Sequence, residues 1–338
     1  MNLELYAGAP EEWDAFARAQ AGFTHFHRYG WKDVIRRSFG HECLYLAARD
    51  PGGGLTGVLP LVRVRSALFG HYLVSMPFLN YGGPLGEAGA VRALAAEAVG
   101  RAEAGGAKLL ELRSRVPLPL DLPVSHRKIT VVLDLPGDGD ALMKSFPAKL
   151  RSQVRRPGKE GVTVRFGPDQ VSPFFEVFSR HMRDLGTPTL PRRFFEEIAG
   201  TFGESAWFGC AWLDDRPVAC GAGFVWGNEF EMTWASSLIQ YNRIAPNMLL
   251  YFSFMERAMD AGLGVFNFGR CTPDGGTHRF KRQWGSRDEP LHWYQHARGA
   301  AATPSPDDGA WSWGPRLWKK LPLPVATAIG PRIVRYIP

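Results

Sequence analysis

Apolar positions near the start of the chain recur at helical spacing. Trp13 and Phe16 suit one face of a short helix beginning after Pro10, and Trp31, Val34, Ile35 and Phe39 suit a second, which Gly40 closes. The pattern then changes to that of strands. The β-rich runs 42–49 and 57–64 are separated by Asp50-Pro51-Gly52-Gly53-Gly54, a hairpin connection, and a third strand is expected at 72–78. After the turn Tyr81-Gly82-Gly83-Pro84, the alanine-rich stretch 88–104 predicts a helix, and 108–113 and 129–135 predict strands.

Beyond a basic helix at 139–156 the same order returns. Helices are expected at 172–185 and 192–202, strands at 206–213, 217–225 and 229–235, then a helix at 246–261 and a strand at 265–268. Corresponding elements lie roughly 160 residues apart, a domain-sized offset that points to two copies of one fold. The boundary is expected near 135–140. Helices that precede an antiparallel meander, followed by one crossover helix into a parallel strand, resemble the GNAT N-acyltransferase fold. The expected class is therefore α/β with mixed sheets in two tandem GNAT-like domains, 1–138 and 139–300, followed by a Trp/Pro/basic tail at 301–338.

Composition supports this and narrows the setting. With 338 residues, 45% apolar and 12% aromatic, the chain can bury a large core. Met1-Asn2-Leu3-Glu4-Leu5 has neither the basic nor the apolar region of a secretory signal, and no run nears the roughly 18 apolar residues of a membrane span. A cytoplasmic location is expected. Cys43, Cys210, Cys220 and Cys271 are scattered, suiting free thiols better than a disulfide framework, and no pair has zinc-ligand spacing. A net charge of +7 favours anionic partners. No GxSxG elbow or HExxH motif is present.

Candidate chemistry concentrates in 267–285, NFGRCTPDGGTHRFKRQWG, where a strand end meets a glycine-rich turn and a cationic aromatic segment. Amides of Asp274-Gly275-Gly276 suit close approach to a phosphate, Lys281, Arg279 or Arg270 would neutralise it, and Phe280 or Trp284 would stack on a base or sugar. The alternative is a surface loop with two core aromatics. Arg151 and Arg155 share a helix face at i,i+4, and Arg36 lies on the helix begun by Trp31; phosphate contacts and solvated charges both remain open for them.

Taken together, WKDVIRRSFGHECLY (31–45), KLRSQVRRPGKEGV (149–162), DLGTP (184–188) and 267–285 resemble the FemAB family, and within it the branch associated with exosortase and PEP-CTERM exopolysaccharide systems. The resemblance implies two GNAT-like domains and transfer of an amino acid from aminoacyl-tRNA to an amine on a peptidoglycan precursor. It also implies that Lys281, in the pair Phe280-Lys281, meets a phosphate of the donor, and that basic residues such as Arg151 and Arg155 meet precursor phosphates. The expected co-substrate is aminoacyl-tRNA or acyl-CoA, with no tightly bound cofactor and no metal. The acceptor is expected on a nucleotide- or lipid-linked envelope precursor.

Two rival functions stay open: an acyl-CoA-dependent N-acyltransferase of an amino sugar, and a non-catalytic protein that binds RNA or polysaccharide. Tyr241-Asn242-Arg243-Ile244-Ala245-Pro246-Asn247 lacks the glycines of a usual CoA cradle, whereas Tyr81-Gly82-Gly83-Pro84-Leu85-Gly86 offers them in the first half. The tail mixes Trp311, Trp313, Trp318, Lys319, Lys320, Arg332 and Arg335 with apolar segments, so it either packs back on the protein or rests on an anionic inner-membrane surface.

Overall fold

The computed structural model describes residues 1–66, 70–297 and 313–337, so residues 301–312 of the expected tail, Trp311 among them, lie outside the described residues. The chain divides into two compact units: Met1–Lys128, Pro290–Ala310 and Arg332–Pro338 form the first, and Ile129–Glu289 with Trp311–Pro331 the second.

The first unit runs β1 (Asn2–Leu5), α1 (Pro10–Arg18), α2 (Trp31–Phe39), β2 (Glu42–Arg49), β3 (Leu55–Ser66), β4 (Gly70–Val74), β5 (Leu85–Gly86), α3 (Ala88–Ala104), β6 (Leu109–Ser114) and β7 (Val124–Ser125). The apolar face read for α2 is buried, and Gly40 ends the helix in the left-handed region at φ 70°. Small residues on α3 let it approach the sheet closely: a Cβ on Gly57 would lie 2.8 Å from that of Ala90. The strand expected at 72–78 stops at Val74, because Met76 and Phe78 take positive φ and turn the chain away.

The second unit contains β8 (Ile129–Asp134), α4 (Gly139–Ser145), α5 (Ala148–Lys159), β9 (Val162–Phe166), α6 (Val171–Leu185), α7 (Arg192–Phe202), β10 (Ala206–Leu213), β11 (Arg216–Trp226), β12 (Glu229–Ser237), α8 (Pro246–Asp260), β13 (Val265–Cys271), α9 (Gly276–Arg282) and β14 (Arg287–Pro290). The single basic helix expected at 139–156 is two helices. Pro147 forces Phe146 into an extended conformation and then caps α5, which continues past Pro157 to Lys159.

Strand exchange shifts the domain boundary from the expected 138. β8 joins the second sheet, pairing antiparallel with β13, so the units divide after Lys128. Conversely, β15 (His292–Ala297) leaves the expected second domain to pair with β6 and β7 in the first sheet. The sheet orders are β1-β2-β3-β4-β6-β15-β7, with β5 on β3, and β14-β8-β13-β12-β11-β10-β9. Each contains one internal parallel pair, β4 with β6 and β12 with β13. The tail supplies α10 (Trp313–Trp318) and α11 (Leu323–Val334).

Candidate functional site

The second sheet forks. β12 and β13 pair in parallel only through Glu229–Val265, Phe230–Phe266 and Glu231–Asn267, although β12 runs on to Ser237 and β13 to Cys271. Both strands are distorted where they part. On β12, Ala222 pairs with Trp234 but Gly223 with Met232, so Thr233 is the extra residue of a bulge. Only glycine fits at 223, where a Cβ would sit 2.0 Å from the Glu231 carbonyl oxygen. On β13, the pairing of Asn267 with Val132 and Arg270 with Thr130 leaves another extra residue, at Gly269, whose φ is 72°.

These bulges bring polar groups together inside an apolar core. Asn267 Nδ2 donates to Glu229 Oε1 at 2.7 Å and Glu231 Oε2 at 3.4 Å, while its Oδ1 accepts from the Thr130 hydroxyl at 2.6 Å and the Gly269 amide at 2.8 Å. Asn267, Thr130 and Glu231 have no solvent-exposed surface. Buried polar atoms are costly unless bonded, so this set fixes how the strands separate.

Lys281 completes the cluster. Its Nζ donates to the carbonyls of Gly269 at 2.6 Å and Arg270 at 3.0 Å, and only 3% of the residue is exposed. The third N–H has no partner among the described residues. Loss of hydration pushes the ammonium down to about 8, against the opposing pull of Cys271 and Glu231. Between pH about 8 and 10.5 an unfolded chain would hold a proton that the folded one has released. This group's contribution to stability therefore rises with pH across that window, by roughly 3 kcal/mol in all. Chemical denaturation of wild type and Lys281→Met at a series of pH values should show that difference, and parallel curves would refute it.

The neighbouring site residues separate into different environments. Phe280 is half-buried, its ring 5.0 Å from Tyr251 and 6.3 Å from Trp284. Trp284 is core: it is 1% exposed and packs against Phe146, Tyr251 and Phe268, so it offers no face for a base. The region read as a loop before Phe280 contains the short helix α9, and its glycine turn is closed from within. The Asp274 amide donates to His278 Nδ1 at 2.9 Å, and Arg279 donates to the Asp274 carbonyl at 3.0 Å. Asp274 and Arg279 are exposed and Arg270 is half-buried.

On α5, Arg151 is tied to the Phe146 carbonyl at 2.6 Å, whereas Arg155 is exposed and makes no ion pair among the described residues. Arg36 belongs to the first unit, exposed, 3.9 Å from Asp33. Within the second unit the structure thus brings Lys281 and Phe280 to the fork. Sequence reasoning missed Thr130 and Asn267. The available signal was a lone amide between Phe266 and Phe268 in an otherwise apolar strand.

In the first sheet the parallel pair of β4 and β6 ends at Val74–Glu111, where β4 itself stops and β6 runs on to Ser114. There the opening is occupied by protein: Arg113 Nε bonds Glu111 Oε1 at 2.7 Å, its guanidinium lies 4.5 Å from the Trp293 ring centroid, and Gln295 donates to Glu111 Oε2 at 2.8 Å. The glycine turn offered as a phosphate cradle is structural as well. The Gly82 amide donates to the Arg113 carbonyl, and the Gly83 carbonyl accepts from His27 Nε2 at 3.0 Å. A Cβ on Gly86 would meet the Thr56 carbonyl oxygen at 2.2 Å.

Comparison with known proteins agrees with this architecture. Residues 144–282 match the family model described as an acetyltransferase (GNAT) domain. No curated protein sequence matches the chain. Among solved structures, FemX superposes with a TM-score of 0.66 at 16% identity, covering 87% of this chain and 97% of that one. The L-PGS structure from Bacillus licheniformis gives 0.56 at 11% identity, covering 97% of each chain. A tandem GNAT protein from the clavulanic acid biosynthesis pathway gives 0.54 at 15%, covering 89% of this chain and all of that one. The protein therefore has the tandem GNAT fold, and the stretch that matches the GNAT acetyltransferase model lies within its second unit.

Proposed function

We propose that the protein is a FemAB-like transferase that moves an aminoacyl or acyl group from an activated donor to an amine on a cell-envelope precursor. The observation that carries this reading is the fork of β12 and β13, with two bulges and the buried Lys281–Asn267–Glu231 cluster at its apex. Past Glu231, the β12 amides that face β13 lose their strand partner and become available to a donor carbonyl and to the oxyanion that forms on it. The first unit's equivalent opening is filled by the Arg113–Glu111 pair, so the reaction is assigned to the second unit.

In the favoured version the donor is aminoacyl-tRNA. The lone pair of the neutral acceptor amine forms the new C–N bond, the ester C–O bond breaks, and the departing ribose oxygen takes the proton the amine loses. The ester is already activated, so holding both reactants in line supplies much of the rate. Lys281 directs its third N–H toward the donor, and Phe280 lines the approach. Arg155, one of several exposed cations on α5 with no ion pair among the described residues, meets a nucleotide- or lipid-linked acceptor, and Arg151 braces the turn before it. The reaction is placed in the cytoplasm.

An acyl-CoA donor is the second reading, favoured by the match of 144–282 to the acetyltransferase model. Against it, the connection from β12 to α8 has no glycine and places Ala245 at φ 55°. Incubation with a charged tRNA pool bearing labelled amino acids, and separately with labelled acetyl-CoA, decides between them. Label transfer to an envelope-precursor amine that ribonuclease abolishes is the expected result. Transfer from acetyl-CoA alone replaces the donor, and transfer from neither removes the enzymatic reading.

A further inference from the structure

The C-terminal helices place apolar side chains outward beside unopposed positive charge. α10 and α11 are seated firmly on the second unit. A Cβ on Gly186 would lie 2.7 Å from the Pro315 carbonyl oxygen, one on Gly330 would lie 2.9 Å from the Thr189 amide, and Arg183 donates to the Leu321 carbonyl at 3.0 Å. The seated face of α11 consists of small residues, Ala326 and Gly330. About a quarter-turn round the helix, the outward face carries Val325 and Ile329 at i,i+4 spacing, 39% and 40% exposed. Leu317 on α10 is 56% exposed.

Three of the eight exposed large apolar side chains among the described residues thus fall within 317–329. This reverses the usual pattern of a surface helix, whose outward face is polar. The charges on the segment itself are all of one sign. Arg316, Lys319 and Lys320 are exposed, none makes an ion pair among the described residues, and 313–337 contains no Asp or Glu.

We propose that this surface docks on an anionic lipid bilayer, with Leu317, Val325 and Ile329 entering the interface and Arg316, Lys319 and Lys320 meeting lipid phosphates. Apolar side chains flanked by cations are the pattern of an interfacial anchor. A second copy of the chain is a poorer occupant, because a two-fold interface would press these cations against their own equivalents. Among the described residues no helix is long and apolar enough to cross a membrane, so the contact is peripheral. The proposal stands independently of the transfer reaction.

The test is co-flotation of the full chain with vesicles of phosphatidylcholine alone or mixed with phosphatidylglycerol. Binding is expected only to the mixed vesicles and should weaken with added salt. Lys319→Gln with Lys320→Gln should lower partitioning about 30-fold, at roughly 1 kcal/mol per charge. Ile329→Asp should lower it as well, with the circular dichroism spectrum unchanged. Absence of flotation, equal binding to both vesicle types, or binding that survives these substitutions overturns the proposal. So does sedimentation showing a dimer that Ile329→Asp dissociates.

Discussion

Replacing Lys281 with Met is expected to reduce transfer at least about 100-fold while leaving the protein folded, the scale on which a lost charge-stabilising donor acts. Met keeps most of the side-chain volume in a site where the residue is 3% exposed, so the change removes the charge and its three donors without opening a large cavity. The loss should appear in kcat, with little change in the acceptor's KM, because Arg155 rather than Lys281 is the residue proposed to meet that substrate. The same group gives the wild type a characteristic pH response. Its burial lowers the ammonium to about 8, so a rate that depends on the protonated form falls as pH rises through that value. Turnover within about twofold of wild type would remove Lys281 from the mechanism, leaving it the task of holding the Gly269 bulge.

Asn267→Leu should be the most destabilising single change at the fork. The amide is the common partner of Thr130, Glu229, Glu231 and the Gly269 amide, and leucine offers none of them a hydrogen bond. A carboxylate and a hydroxyl lose a partner inside the core, at a cost of roughly 3 kcal/mol or more. Differential scanning calorimetry should register this as a drop in Tm on the order of 10 °C. Asn267→Asp, which keeps the acceptor oxygen but adds charge beside Glu231, should also be destabilising. An Asn267→Leu variant as stable as wild type would show that the cluster contributes nothing to the separation of β12 and β13.

The regular part of the fold was legible because its signals are local. Trp31, Val34, Ile35 and Phe39 announce α2, and the strand runs that became β10, β11 and β12 carry their own apolar pattern. The order of these elements was enough to indicate a duplicated GNAT-like architecture. What escaped was tertiary. The 129–135 strand looks the same whichever sheet it joins, and only its register against β13 places it in the second unit. The short edge strands β1, β9 and β14 bury too few positions to show a pattern, and α9 is hidden by the glycines before it.

At the site, residue types alone suggested an accessible cation in 267–285 and left Phe280 and Trp284 open between stacking on a base and packing in the core. Burial of Lys281 and Trp284 depends on the bulge at Gly269 and on packing from α8 and from Phe146 between α4 and α5, neither of which a single segment reveals. Asn267 shows the converse case. Its importance lies in partners from two other strands, β8 and β12, more than 30 residues away along the chain.

The exchange of β15 into the first sheet bears on biogenesis. β6 ends at Ser114, but the strand that covers its far side begins at His292, 178 residues later (292 − 114). At ribosomal rates of about 5–20 residues per second, that edge stays open for roughly 9–36 s during synthesis. Throughout the interval the nascent first unit carries the free hydrogen-bonding edge that promotes strand-to-strand aggregation. Every strand of the second sheet, by contrast, has been translated by Pro290. The second sheet can therefore be fully paired before the first one closes, although most of the first is encoded earlier.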